Sequence, residues 1–210
     1  VSPRDVVIVA NGGANLASLQ FALERLAVAS VVSADPLRIG AASHVILPGV
    51  GAAADAMTRL RQDGLHELIP RLRQPVLGIC LGMQLLFEGS EEGRTTCLGI
   101  IPGRAERFAE APGRPVPHIG WNTLDRVRES ALTSGLSGAD YAYFVHSYAL
   151  PLGDWTVAST HYGTSFSSCV EWRNFYGTQF HPERSAAVGA RLLDNFLSLG
   201  GLPVGGRDPS

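Results

Sequence analysis

The sequence predicts an α/β fold: a central, mostly parallel or mixed sheet flanked by helices on both faces, with a smaller, mostly antiparallel β region in the second half. Three observations predict it. Short β-branched runs alternate with helical stretches up to Cys80. The first of them, Val6-Val7-Ile8-Val9-Ala10, is apolar at every position, as a strand buried on both faces must be. After Tyr141 the helical stretches give way to closely spaced β-rich segments.

The elements follow in order. Val6-Val7-Ile8-Val9-Ala10 reads as the first strand, stopped by Asn11-Gly12-Gly13. Asn15 is placed to cap a helix whose Leu16, Leu19, Leu23 and Leu26 recur at helical spacing. Val31-Val32 predicts a second strand and His44-Val45-Ile46-Leu47 a third, halted by Pro48-Gly49-Val50-Gly51. Residues 52–60 and 65–72 read as helices, and residues 75–79 as a fourth strand. Residues 141–150, 155–162, 165–172 and 174–180 read as strands joined by hairpin turns, Arg173-Asn174 being a candidate. A last helix over residues 185–199 gathers Val188, Leu192, Leu193, Phe196 and Leu197 on one face and stops at Gly200-Gly201. Residues 1–200 form one predicted domain and residues 201–210 a loose tail.

Composition narrows the class. Among 210 residues 45% are hydrophobic and 17% charged, which excludes a disordered chain. The net charge of −2 includes no basic stripe for a nucleic-acid backbone. No apolar stretch approaches the roughly 20 residues of a membrane span, and the polar start through Asp5 is too short for a signal peptide. Cys80, Cys97 and Cys169 are too few and scattered for a disulfide framework. All 17 basic residues are arginine, which removes lysine Schiff-base chemistry and any phosphate-loop lysine. The expectation is a cytoplasmic enzyme without metal or cofactor.

The most informative segment is Leu77-Gly78-Ile79-Cys80-Leu81-Gly82-Met83-Gln84, a strand running through Gly-x-Cys-x-Gly into a helix. This is a nucleophile-elbow arrangement with sulfur in place of a serine oxygen. The glycines allow a tight, strained turn, and the helix N-terminus beside the thiol favours the thiolate. Taken alone, the pattern fits a buried structural cysteine equally well. Gly177-Thr178-Gln179-Phe180-His181-Pro182-Glu183 adds context. A residue before proline is held extended, and side chains two apart in an extended chain share a face. His181 and Glu183 can therefore form the base and its orienting carboxylate, with Cys80 as nucleophile.

With these two segments the chain resembles the class I, triad-type glutamine amidotransferases. Leu47-Pro48-Gly49-Val50-Gly51 matches that family's oxyanion strand. Pro117-His118-Ile119-Gly120-Trp121-Asn122, Tyr143-Phe144-Val145-His146-Ser147-Tyr148 and Asn15-Leu16-x-Ser18 are similar to the family's imidazole glycerol phosphate synthase branch. The resemblance runs collinearly over residues 5–199. It implies Cys80 as nucleophile, His181 as general base and acid, and Glu183 as its orienter. Backbone N–H groups of Gly49, Val50, Gly51 and Leu81 would form the oxyanion hole. Gln84, Glu92, His146, Ser147 and Tyr148 would hold L-glutamine, although Glu92 fits a solvated charged loop nearly as well.

The resemblance also implies a partner, a (β/α)8-barrel cyclase subunit that receives the ammonia in a heterodimer. His118, Trp121, Tyr143 and Arg184 would face it, Arg184 as one half of a cross-subunit ion pair or else as an ordinary rim charge. Many relatives carry Asp-Tyr-Gly-x-Gly-Asn where this chain has Ala10-Asn11-Gly12-Gly13-Ala14-Asn15. Three alternatives are a glutaminase serving another acceptor, such as pyridoxal phosphate synthase, an elbow-cysteine hydrolase or peptidase, and a non-catalytic module. The Trp121 and 144–148 blocks oppose the first. Gln84 and the aromatic patch oppose the second, and the presence of Cys80, His181 and Glu183 together opposes the third.

Overall fold

The computed structural model describes residues 5–12 and 16–200, so the Asn15 cap, Gly13 and Ala14 of the atypical turn, and the 201–210 tail lie outside the described residues. The β-branched runs become adjacent parallel strands β1 (Val6–Val9), β2 (Ser30–Ser33), β3 (His44–Gly49) and β4 (Val76–Cys80). Between them run α1 (Leu16–Arg25), α2 (Pro36–Ala41), α3 (Ala53–Gln62) and α4 (Leu65–Leu68). Strands β1 and β4 are apolar throughout because they serve two cores, whereas β2, at the sheet edge, carries Ser30 and Ser33. Val6 and Ile8 pack with Leu19 and Leu23 of α1, whereas Val7 and Val9 pack with Ile39, Met57 and Leu60 on the opposite face. Helix α2 has too few residues for a periodic signal. Its start is fixed by Asp35, which accepts from the Leu37 N–H at 2.9 Å, and by Pro36 in the first turn.

After β4 come α5 (Leu81–Leu85), β5 (Phe87–Ser90), β6 (Thr95–Thr96), β7 (Ile101–Arg107), β8 (His118–Thr123), β9 (Arg126–Val127), β10 (Tyr141–His146) and β11 (Tyr148–Ala149). The chain then forms β12 (Thr156–His161), β13 (Ser165–Trp172), β14 (Phe175–Thr178) and α6 (Ala186–Leu197). The main sheet has eight strands in the order β2-β1-β3-β4-β14-β13-β12-β9. Strand β14 lies parallel to β4, and β13, β12 and β9 follow antiparallel. The expected antiparallel strands thus partly extend the main sheet. The rest of the small β region is an antiparallel β8–β10 ribbon and a four-stranded sheet, β11-β7-β5-β6. Helix α6 closes the first core with Leu192, Leu193 and Phe196. Among the described residues no helix is long and apolar enough to cross a membrane.

Candidate active site

Cys80 ends β4 and precedes α5 with φ 53° and ψ −112°, a conformation costly for a residue with a Cβ. Packing holds it there. A Cβ on Gly82 would fall on the Leu47 carbonyl oxygen, one on Gly78 would lie 2.6 Å from Met83 Cα, and one on Gly49 would lie 2.6 Å from the Gly82 nitrogen. The start of α5 is therefore wedged against β3 and β4, and glycine is required at each contact. Helix α5 has only five residues, so its dipole is a local effect of its first amides.

The sheet brings the second motif to this point. In the β14–β4 register Thr178 pairs with Ile79, which sets Gln179 beside Cys80 at the carboxyl ends of two neighbouring parallel strands. Two residues on, His181 is extended (φ −93°, ψ 101°), as its following proline demands, and its N–H donates to the Tyr143 carbonyl at 3.0 Å. His181 Nδ1 lies 2.9 Å from Glu183 Oε1, with both side chains 8% exposed. The carboxylate accepts a hydrogen bond from Nδ1–H and so directs Nε2 toward the thiol. Nε2 and Glu183 Oε2 are buried and have no protein partner. Burial pulls the His181 pKa down, but the Cys80 sulfur and the Glu183 carboxylate close beside it outweigh burial and raise it to about 10. Cys80 Sγ donates to the Val145 carbonyl at 3.8 Å and accepts from Gln179 Nε2 at 3.6 Å.

Cys80 opens into a cleft of about 370 Å³ lined by Val50, Gly51, Leu81, Gln84, Glu92, residues 145–148 and His181. Of the four expected oxyanion residues, Val50, Gly51 and Leu81 line it. Gly49 pairs with Cys80 across the sheet and lines an adjoining cavity of about 150 Å³ with Leu19, Ile79, His181 and Arg184. Ser147 and Tyr148 form the far wall. One expected substrate contact needs correction. The His146 ring has Nδ1 on the Tyr148 carbonyl at 2.8 Å and Nε2 against His118 Nδ1 at 3.1 Å, so neither nitrogen is free for a carboxylate. The Gln84 amide nitrogen donates to the Tyr148 carbonyl at 2.8 Å and to Gln179 Oε1 at 3.0 Å, so its donors are engaged within the protein. Glu92 reaches the cleft edge while its Oε2 accepts from the Ala53 N–H at 2.7 Å, at the start of α3.

The β8–β10 ribbon divides the expected partner residues. Trp121 is 53% exposed and Ile119 and Tyr141 lie on the surface beside it. The Trp121 and Tyr143 rings meet edge-on at 6.0 Å, and the Arg184 guanidinium lies 4.5 Å over Tyr143. His118 does not belong to this surface. It is 3% exposed and stacked between Tyr162 and Phe144, because strand alternation turns it to the face opposite Trp121. Burial lowers its pKa to about 4 and that of His146 to about 3, so both rings are neutral. Burial likewise raises Cys97 to about 11 and Cys169 to about 12, which leaves both as protonated packing groups. A wider, open depression of about 910 Å³ along residues 125–138 contains no cysteine or histidine.

A residue at the site absent from the expected set is Gln179, whose Nε2 lies 3.6 Å from Cys80 Sγ. Its signal lay in the Gln-x-His spacing, which puts Gln179 and His181 on one face of an extended segment.

The family model for glutamine amidotransferase class-I matches residues 9–199. The chain is 52% identical to the imidazole glycerol phosphate synthase subunit HisH 2 of Legionella pneumophila (strain Lens), over 92% of this chain and 98% of that protein. It is also 52% identical to the HisH subunit of Xanthomonas euvesicatoria pv. vesicatoria (strain 85-10), over 93% and 98% of the two chains. A crystal structure of a glutamine amidotransferase superposes with a TM-score of 0.71 at 20% identity, covering 91% of this chain and 96% of that one.

Proposed function

This chain belongs to the class-I glutamine amidotransferases, within them to the HisH subunits of imidazole glycerol phosphate synthase, and from that premise we propose how it works. It is the glutaminase subunit of that synthase in histidine biosynthesis: it hydrolyses L-glutamine to glutamate and ammonia, and passes the ammonia to a (β/α)8-barrel cyclase partner. The observation that carries the mechanism is the meeting of a strained elbow thiol with a buried His181–Glu183 pair at the ends of adjacent parallel strands.

His181 Nε2 takes the Cys80 proton, and the sulfur attacks the side-chain carboxamide carbon of glutamine. The oxygen of the tetrahedral adduct receives backbone N–H groups of the 49–51 segment and of Leu81, where one lost donor costs about 3–4 kcal/mol of barrier. His181 returns a proton to the departing nitrogen, ammonia leaves, and a γ-glutamyl thioester remains on Cys80. Water, deprotonated by the same imidazole, hydrolyses the thioester to glutamate and restores the thiol. Glu183 holds the ring in the tautomer that serves all three steps. The Val50, Val145 and His181 side of the glutamine cleft also bounds the 150 Å³ cavity. That arrangement supports release of ammonia toward the exposed ribbon, where Trp121, Tyr143 and Arg184 are suited to a partner surface.

The test measures glutamate release by the chain alone and with a cyclase subunit plus its nucleotide substrate. Cys80→Ala is expected to abolish glutamine-dependent synthesis while ammonia-dependent synthesis by the complex survives. Glutamine-dependent synthesis that persists in Cys80→Ala overturns the nucleophile. Glutamate release that is high alone and indifferent to the cyclase overturns the acceptor.

A further inference from the structure

We propose that Gln179 is a positioning residue for the nucleophile: its side-chain amide fixes Cys80 Sγ and stabilises the thiolate left when the thiol proton moves to His181. The inference rests on the Cys80 reading above and goes beyond the Cys-His-Glu triad.

The orientation of the Gln179 amide follows from a chain of fixed donors. The Tyr148 carbonyl can only accept, and it accepts from both Gln84 Nε2 at 2.8 Å and His146 Nδ1 at 2.8 Å. Gln84 Nε2 therefore points its second hydrogen at Gln179, which must answer with an oxygen; the Oε1 separation is 3.0 Å. Gln179 is then left with its NH₂ group toward the sulfur at 3.6 Å, a hydrogen bond to the reacting atom. The Gln179 side chain has no exposed surface, so no water competes for this contact. The backbone holds it as firmly, since the Gln179 N–H donates to the Ser168 carbonyl at 2.9 Å and the preceding residue is in register with β4.

With its proton on sulfur, Cys80 donates to the Val145 carbonyl at 3.8 Å, and His181 Nε2 has no hydrogen-bond partner within the protein. For attack the S–H bond breaks, its electron pair stays on sulfur, and the proton forms an N–H bond on His181 Nε2. Sulfur then no longer donates to Val145. The Gln179 N–H is the contact that survives the change, and it strengthens because its acceptor has become an anion. Five-residue α5 contributes only its first amides, which leaves Gln179 as a fully buried side-chain donor at the sulfur beside the imidazolium.

The experiment compares the full wild-type chain with Gln179→Met, which keeps length and loses the donor, and uses iodoacetamide as the probe. In Gln179→Met, alkylation of Cys80 near neutral pH is expected to fall about tenfold, corresponding to about 1.4 kcal/mol. Alkylation should recover as pH rises, and glutaminase kcat in the cyclase complex should fall to a similar degree with KM for glutamine within about twofold, the split expected for a loss confined to the chemical step. Alkylation with the wild-type rate and pH profile overturns the proposal, as does a parallel loss of kcat and KM with the alkylation profile unmoved. Should Gln179→Met not fold, the side-chain NH₂ resonances of Gln179 are followed in the wild-type chain and in Cys80→Ala. They should titrate with Cys80 reactivity in the first and shift in the second, and resonances blind to both overturn the assignment. A wild-type chain that iodoacetamide does not modify at Cys80 overturns the nucleophile itself, an outcome distinct from any of these.

Discussion

Acidification from pH 7 to pH 5 should remove about 4 kcal/mol of stability through His118 and His146. Both rings are buried, 3% and 6% exposed, and neutral, with folded values of about 4 and about 3 against an ordinary 6.5. Below the ordinary value an unfolded histidine binds a proton that the folded chain refuses. Unfolding therefore takes up protons, and stability, whole above about pH 6.5, declines until the folded values are reached. At pH 5 each unfolded ring lies about 1.5 pH units below its ordinary value, a difference of about 2 kcal/mol per ring. His181 cannot mask the effect. Its folded value is raised, so its contribution is complete below about 6.5 and is lost only as pH climbs toward about 10. Urea titrations at pH 7, 6 and 5 give the slope directly. His118→Phe keeps the ring stack on Tyr162 at 4.1 Å and removes one of the two titrating groups, so its slope should be about half that of the wild type. A flat wild-type profile, or a His118→Phe slope equal to wild type, would refute the argument.

Gly82→Ala places a methyl group on the Leu47 carbonyl and should cost about 3 kcal/mol or more, seen as a lower urea midpoint. Glu183→Gln leaves His181 Nδ1 with a neutral partner and should lower glutaminase kcat about 10²–10³-fold in steady-state assays with the cyclase, with glutamine KM little changed. Trp121→Ala should weaken cyclase binding by about 2 kcal/mol in calorimetric titration while the melting temperature of the isolated chain moves little. Unchanged affinity in that titration would remove the ribbon face from the proposed interface.

Strands β1, β3 and β4 were legible because burial on both faces leaves no polar position to confuse the pattern. Strands β5 and β7 were not, since one face is wet and Gly89, Pro102 and Gly103 within them read as turn residues. The triad was legible for a different reason: each motif states its local geometry, strained at Cys80 and extended at His181-Pro182. Gln179 was half legible: the Gln-x-His spacing sets it on the His181 face, but its place beside Cys80 comes from the β14–β4 register, a pairing between distant segments that local sequence does not encode. The misplacement of His118 was avoidable. Residues three apart on a strand point to opposite faces, so His118 and Trp121 could not share one surface once β8 was recognised as a strand.

The adjacency of β4 and β14 has an evolutionary consequence. Nucleophile and base ride on neighbouring rods of the rigid sheet, whereas the exposed face of the β8–β10 ribbon, with Ile119, Trp121 and Tyr141, belongs to the chain between them. The triad and most of the exposed ribbon surface thus lie on different strands. Substitution on the exposed face of the ribbon can redirect which acceptor is served without moving sulfur relative to imidazole. A graft of that exposed face between two such scaffolds should exchange their clients and leave their hydrolytic cores alike.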